Sequence, residues 1–394
     1  MIRHLLKMVW NRKRVNGFIM IEIFFSFIVL FIVMSAALYF FGNYRHPLGY
    51  SIERVWTIDP NPNLTRNSHR KEQAEGMKQL LLMLKDMPEI ESVAGTSVPP
   101  YSHSMWTSGE DYNGRSVLTE IGGATDGMKE VLDINLTAGR WFSAEDNDTT
   151  FKPAVINERL AHDLYGAENP IGKELPFDKQ RVIGVVADYR KAGEFSELGN
   201  FLFQRIRTDD TASNFIPYSI LIRVRPGTTA AFQERLVKAM ESVNKSWTFD
   251  VAQVEHERDQ DMKVRLTPLI AGAVVAIFLL SMVALGLIGV LWQNVSQRTT
   301  EIGLRRALGG TAGHVSRQIQ GEQFVITTIG VAAAAVLVMQ IPLLNLTGDT
   351  VTTDVYIAAL AVSFLTMYAI TYVCSMFPSW MAMDIEPAEA LHYE

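Results

Sequence analysis

Residues Gln297–Glu322 read QRTTEIGLRRALGGTAGHVSRQIQGE and lie between two long apolar runs. Their chemistry is that of contact rather than of bond making. Arg298, Arg305, Arg306 and Arg317 offer fork-shaped donors to carboxylates, while Ile302, Leu304, Ala307 and Leu308 offer apolar area. The spacing predicts a helix over Arg298–Leu308. Gly309 and Gly310 can end it in left-handed backbone, and Thr311 can cap a following helix. A plain connector accounts for the arginines and glycines but not for the apolar residues. The run Glu301, Ile302, Gly303, Leu304, Arg305, Arg306, Ala307, Leu308, Gly309, Gly310 and Thr311 is therefore a candidate docking element for another protein.

Patterns that would carry catalysis fail one by one. GAENPIGKE (Gly166–Glu174) has its glycines one residue too far apart for a phosphate loop, and Lys173 is followed by Glu rather than Ser or Thr. The eight histidines are scattered without paired ligand spacing, and no G-x-S-x-G turn occurs. The carboxylates around His256 read as a solvated helix face. The expectation is a chain with no catalytic, metal or cofactor-binding residues of its own and no affinity for nucleic acid.

The elements that would hold the docking segment are membrane helices. Hydrophobic residues make up 48% of the chain and charged ones 20%, so apolarity must be concentrated. It lies in four runs without Asp, Glu, Lys or Arg: Ile23–Phe41, Leu269–Leu291, Phe324–Leu344 and Tyr356–Phe377, of 19, 23, 21 and 22 residues. About 20 residues span the hydrocarbon core. The first run continues through Leu38, Tyr39, Phe40 and Phe41, so it reads as a retained anchor rather than a cleaved signal. Basic residues precede it (Arg3, Lys7, Arg12, Lys13, Arg14), others follow the second run, and Asn345–Val355 has none. Positive charge stays inside, which predicts cytoplasmic termini, a cytoplasmic docking segment and lipid-anchoring basic ends. The net charge of −6 adds little, because opposite charges are segregated by compartment. Cys374, the single cysteine, sits in the fourth run, leaving the external region no disulfide.

Three features inside the runs invite a functional reading. Glu22 lies at the cytoplasmic edge of the first, where a carboxylate is a functional candidate by default; contact with interfacial water or a nearby arginine is the simpler account. Gly272 and Ala276 form a small-xxx-small pair suited to close helix packing, within one subunit or between two. Pro342, beside Gln340, is placed to kink or end the third span.

About 225 residues separate the first two spans. Val55–Asp59, Glu72–Lys85 and Ile90–Val98 read as strand, helix and strand. Ser219–Arg225, Thr229–Val243 and the alternating Trp247, Phe249 and Val251 repeat the order. Two such halves predict a split ferredoxin-like α+β domain, with a mostly β insert between them. The insert's legible pieces are Leu132–Phe142, Ala154–Ile156, a short helix Glu158–Tyr165 ending at Gly166, and a strand Arg181–Ala187. From Val254 a charged helix is expected to run into the second span. The resulting division is 1–17 cytoplasmic, 18–41 first span, 42–100 with 215–262 split domain, 101–214 insert, 263–292 stalk and second span, 293–322 docking segment, 323–344 third span, 345–355 external loop, 356–377 fourth span and 378–394 cytoplasmic tail.

EIGLRRALGGT (Glu301–Thr311) resembles the cytoplasmic motif of MacB/FtsX-type permeases of ABC systems, the mechanotransmission class. LDINLTAGRWFSAED (Leu132–Asp146), AVINERLAHDLYGAENPIGKEL (Ala154–Leu175), RVIGVVADYR (Arg181–Arg190) and PAEAL (Pro387–Leu391) are similar to that family in the same order. The resemblance implies an α-helical membrane protein with four spans, a porter-like split domain and a sabre-like insert, in the bacterial inner membrane. It also implies two copies of a cytoplasmic ABC ATPase that bind the ATP and Mg, a second permease (a copy or a paralogue), and room for a membrane-fusion protein or another external partner. Glu301–Thr311 would be the coupling element. About 17 residues precede the first span and hold no phosphate loop, so the ATPase is expected on a separate chain. Export or extraction of a peptide, drug or lipoprotein is the leading expectation. Control of an external cell-wall hydrolase or signalling partner is the second, and a membrane-anchored binding protein without an ATPase the third.

Overall fold

The computed structural model describes residues 13–62, 70–112, 115–176, 180–207, 216–308, 311–344 and 352–384. The chain divides into two compact units, Gly42–Arg265 and the membrane unit formed by Met1–Phe41 with Leu266–Glu394.

Helix α1 (Lys13–Tyr44) opens the described chain. The elements of the Gly42–Arg265 unit follow as β1 (Val55–Pro62), α2 (Arg70–Lys85), β2 (Ile90–Thr96), β3 (Thr107–Tyr112), β4 (Arg115–Ala124), α3 (Met128–Leu132), β5 (Leu136–Gly139), β6 (Lys152–Asn157), α4 (Glu158–Tyr165), β7 (Gln180–Val186), β8 (Phe201–Arg205), β9 (Ser219–Val224), α5 (Ala231–Val243) and β10 (Trp247–Gln253). The strand order β10-β1-β9-β2, antiparallel throughout, is the ferredoxin-like arrangement expected of two β–α–β halves. Apolar residues at helical spacing explain where α2 and α5 lie. Met77, Leu80 and Leu84 on α2 and Phe232, Leu236 and Met240 on α5 are buried against Trp56, Ile58, Ile220, Ile222 and Trp247.

The opposite face of the same strands is equally dry. Val55, Ala94 and Leu221 pack with Met128, Val131 and Leu132 of α3 and with Trp141, Phe201 and Phe203 of the insert. β9 is consequently buried on both faces. Its sequence runs apolar through Ile220, Leu221 and Ile222, as a strand covered on both sides does. Arg223 is buried as well, its Nε donating to the Val131 carbonyl at 2.9 Å.

The insert adds to the same sheet. A bridge between Thr96 and Ala124 carries β2 to β4, then β4 pairs parallel with β8, β8 antiparallel with β6, β6 parallel with β7 and β7 antiparallel with β5; β3 pairs with β4. α4 begins at Asn157, whose side chain accepts from the Leu160 amide, and ends at Gly166 in left-handed backbone. It covers a second core built on Ile156, Leu160, Leu164, Val182 and Leu202. Asp146, fully buried, pairs with Arg140 across two short bonds and accepts from the Ser143 amide. Burial works against its charge, and these partners outweigh burial, holding its carboxyl below the usual range.

α6 (Val254–Gln297) starts directly after β10, as the charged run Val254–Lys263 predicts. α7 (Thr299–Ala307), α8 (Ala312–Val338), the short α9 (Gln340–Leu343) and α10 (Thr353–Asp384) complete the described chain. Four helices, α1, α6, α8 and α10, are long and apolar enough to cross a membrane. Ile23, Phe27, Val283, Leu287, Ile326, Val331 and Met367 form their shared core. Phe18, Phe25, Ile277, Phe278 and Leu365 stay exposed, as residues facing acyl chains would. Pro342 falls in α9, past the end of α8. A Cβ on Gly272 would meet Val33 of α1 at 3.1 Å, so this glycine packs within one subunit, and Ala276 is buried. A Cβ on Gly286 would lie 3.0 Å from Glu22 Oε2, so that glycine makes room for the carboxylate.

Candidate functional site: a docking corner and a buried clamp

α6 ends at Gln297 and α7 begins at Thr299, with the Ile302 amide bonded to the Arg298 carbonyl at 2.9 Å. Ile302 turns inward and is buried with Val295, Val315 and Ala382, while Gly303 is buried beside it. Arg298 pairs with Glu322 of α8 at 3.2 Å, and Gln318 reaches the same oxygen at 3.4 Å. These contacts fasten the corner from beneath. Its outer surface carries Leu304, half exposed, and Leu308, 80% exposed, one helical turn apart. Thr311 stands at the start of α8 with extended backbone. Its side chain makes no cap bond, and its carbonyl receives the His314 amide instead. Gly309 and Gly310 lie outside the described residues, as do the tail motif Pro387–Leu391 and the N-terminal basic cluster through Arg12. The side chains of Glu301, Arg305 and Arg306 are likewise outside the description.

A second constellation sits in the Gly42–Arg265 unit, where sequence reasoning placed no site. The loop Arg190–Ser196 follows β7. Arg190 is 2% exposed, and its guanidinium donates to the carbonyls of Asn43 and His46, both at 2.8 Å, and to those of Glu194 and Ser196. The Asn43 amide returns a bond to the Phe195 carbonyl at 3.1 Å, and Tyr44 stacks on Phe195. The same loop holds the first turns of α6. Glu194 pairs with Arg258 and accepts from the Tyr101 hydroxyl at 3.2 Å. Arg265 pairs with Asp261 at 2.7 Å and donates to the Ala192 carbonyl. Gly193, with φ of +84°, lets the loop close against Tyr101 and Asp261, where a Cβ would meet the Tyr101 ring at 2.6 Å. Burial and the Glu194 carboxylate push the Tyr101 hydroxyl well above the ordinary tyrosine range. One loop thus clamps the chain at both ends of the unit, at the end of α1 and at the start of α6.

Residues 20–239, more than half of the chain, match the MacB-like periplasmic core domain, and residues 273–387 match the FtsX-like permease C-terminal domain. The chain belongs to the MacB/FtsX-type ABC transporter permeases. Among curated relatives, this permease is 25% identical over 300 residues to the macrolide export ATP-binding/permease protein MacB of Bdellovibrio bacteriovorus, covering 72% of this chain and 45% of that one. It is 24% identical over 288 residues to the pyoverdine export ATP-binding/permease protein PvdT of Pseudomonas aeruginosa, covering 69% and 42%. It is 24% identical over 223 residues to the uncharacterized ABC transporter permease YknZ of Bacillus subtilis, covering 56% of each. The permease spans about half the length of these relatives. Among solved structures, the periplasmic region of MacB from Actinobacillus actinomycetemcomitans is similar over 52% of this chain and 92% of its own, at 19% identity and a TM-score of 0.38. With four membrane helices and a periplasmic-type domain, this is an inner-membrane permease whose large domain lies outside the cytoplasm.

The Arg190 clamp could have been suspected only from the motif RVIGVVADYR, which ends on this arginine. Nothing in the spacing reveals its partners, because they are main-chain carbonyls 144 and 147 residues away. Glu22, the other charged candidate, makes no salt bridge among the described residues.

Proposed function

We propose that this permease couples ATP hydrolysis by a cytoplasmic ABC ATPase to movement of its external domain, and that the movement drives export or extraction of a substrate. The observation that carries this reading is the corner at α7. Ile302 and the Arg298–Glu322 pair anchor it below, and Leu304 and Leu308 are left bare above. Two exposed leucines one turn apart on a rigid support suit insertion into an apolar groove. In this reading both termini and the corner are cytoplasmic, which the arginine distribution supports. Two ATPase copies bind the ATP and Mg, and a second permease completes the complex.

In this scheme closure of the ATPases pulls on the corner, and the pull travels along α6. The clamp at Arg190, Glu194 and Arg265 supplies the other end of the linkage, because α6 cannot shift its first turns without carrying the loop Arg190–Ser196. The names of the relatives, export proteins for a macrolide and for pyoverdine, support transport as the output over control of an external enzyme.

The test is ATP hydrolysis by the ATPase reconstituted with the permease in lipid nanodiscs. Charge reversal of Arg305 and Arg306 together is expected to remove permease-dependent stimulation while the melting temperature of the external domain stays unchanged. Full stimulation in that double variant overturns the coupling assignment.

A further inference from the structure

The sheet of the Gly42–Arg265 unit leaves a strand edge open at β3. This strand pairs with β4, and among the described residues nothing pairs with its other edge. The register says which groups that edge presents. The Ile121 amide donates to the Trp106 carbonyl at 2.8 Å, while the Glu120 amide turns the other way, to the Asn200 carbonyl at 2.9 Å. Bonded pairs alternate along an antiparallel ladder. Ser108 and Glu110 therefore turn their main-chain groups onto β4, and Thr107, Gly109 and Asp111 turn theirs onto the open edge. Lysine, proline, a bulge or a very short strand commonly guards an edge. β3 reads TSGEDY, with neither lysine nor proline, and its register is unbroken. By contrast β5, at one end of the same sheet, is four residues long and irregular in register. β10, at the other end, exposes no large apolar residue.

Apolar area gathers at the β3 edge. Met105, Trp106 and Leu118 are each more than half exposed. Leu118 stands directly across from Gly109, which has no side chain to cover it. A Cβ at Gly109 would meet only the Leu118 side chain, at 3.9 Å, so the place is vacant and roomy.

We propose that the β3 edge takes an added β-strand from an external polypeptide, one carrying basic residues and an apolar side chain that lies over Gly109. The open main-chain groups recur at every second residue, and an extended backbone satisfies them in series. A lipid or a small amphiphile could cover Leu118 but has no matching ladder of donors and acceptors. A strand glycine leaves its cross-strand neighbour bare, and an apolar side chain from the next strand covers both. β3 brings Glu110 and Asp111 and no basic residue, so lysine or arginine on the added strand balances charge across the pair. The hairpin is tied to the clamp, because Glu120 of β4 pairs with Lys191, the neighbour of Arg190. The surface stands independently of the ATPase reading, since it belongs to the Gly42–Arg265 unit alone.

The experiment is fluorescence anisotropy with the full chain in neutral-lipid nanodiscs. The probe is a short labelled peptide alternating threonine and valine, with a central phenylalanine and a lysine at each end. Its twin has two successive residues beside the phenylalanine replaced by proline, which removes donors from both edges. The expected result is saturable binding of one peptide per chain, at least about tenfold tighter than the twin. Gly109→Pro takes one donor from the open edge, leaves the β4 ladder intact, and is expected to weaken binding about tenfold or more. Leu118→Thr, an exposed change, is expected to weaken it about tenfold with the melting temperature unchanged, and it decides the matter if Gly109→Pro disturbs the fold. Absence of saturable binding by the peptide overturns the proposal. So does equal binding of the twin, which marks apolar adsorption, or equal binding by the wild type and Leu118→Thr. Sedimentation showing two chains joined through β3, in place of peptide binding, assigns the edge to a second copy and overturns it too.

Discussion

Arginine is used in two opposite ways in the two units of this chain. In the external clamp, Arg190 is withdrawn from solvent and donates to main-chain carbonyls from two short segments. At the α7 corner, Arg298 makes an ion pair to Glu322 while two leucines beyond it remain bare. The first arrangement is turned inward, and its consequence is a fixed geometry. The second is fastened from beneath and leaves apolar area bare above. The proposed coupling would call on both, a fixed grip in one unit and an open surface in the other.

The sharpest way to break this contrast is at the clamp. Arg190→Met keeps much of the side chain's volume but strands four carbonyls in a buried site, and is expected to cost about 3–5 kcal/mol of stability. Thermal unfolding of the purified chain reads this out. Arg190→Lys should recover only part of it, because a single ammonium lacks the planar fork.

At the corner the expected pattern separates stability from function. Ile302→Ala removes buried area and should destabilise the membrane unit by about 2–4 kcal/mol. Leu308→Glu should change stability by less than about 0.5 kcal/mol, as an exposed substitution does. It should nevertheless lower permease-stimulated ATP hydrolysis by about tenfold. Equal stability losses at the two positions would erase the distinction between an inner and an outer face.

The smallest expected effect concerns Asp59, which faces Asp250 directly across the β1–β10 ladder. Burial, opposed by the Ser219 hydroxyl and reinforced by the charge of Asp250, raises its carboxyl above the usual range. A carboxyl raised on folding favours the folded state most fully below the unfolded pKa, and that contribution declines as pH climbs to the folded value. Asp59→Asn should flatten this decline and leave the chain slightly more stable at neutral pH. The residue keeps solvent contact, so the change is small. Denaturant unfolding from acid to neutral pH checks it.

Hydropathy made the four spans legible, because crossing hydrocarbon demands an uninterrupted apolar run that nothing else in the chain imitates. The ferredoxin-like order was legible for a related reason. Met77, Leu80 and Leu84, and again Phe232, Leu236 and Met240, repeat at the helical period between strands. The corner showed itself through apolar residues that a loop does not need. The two-sided burial of β9 was less legible, because Leu221 and Arg223 point into a second core supplied by α3 and the insert, which lie far away in sequence. The clamp was invisible for the same physical cause. Main-chain carbonyls carry no side-chain signature, and partners far away in sequence leave no spacing to recognise.

The central claim is that the corner at α7 is seated on an ATPase, and site-specific photo-cross-linking in intact cells tests it most directly. A photoreactive residue at Leu308 is predicted to give one dominant protein adduct, identified by mass spectrometry as an ABC ATPase. The same probe at Ile302, facing inward, should give none. Adducts to lipid alone at Leu308, in cells where the permease is intact and the ATPase is present, would contradict the account.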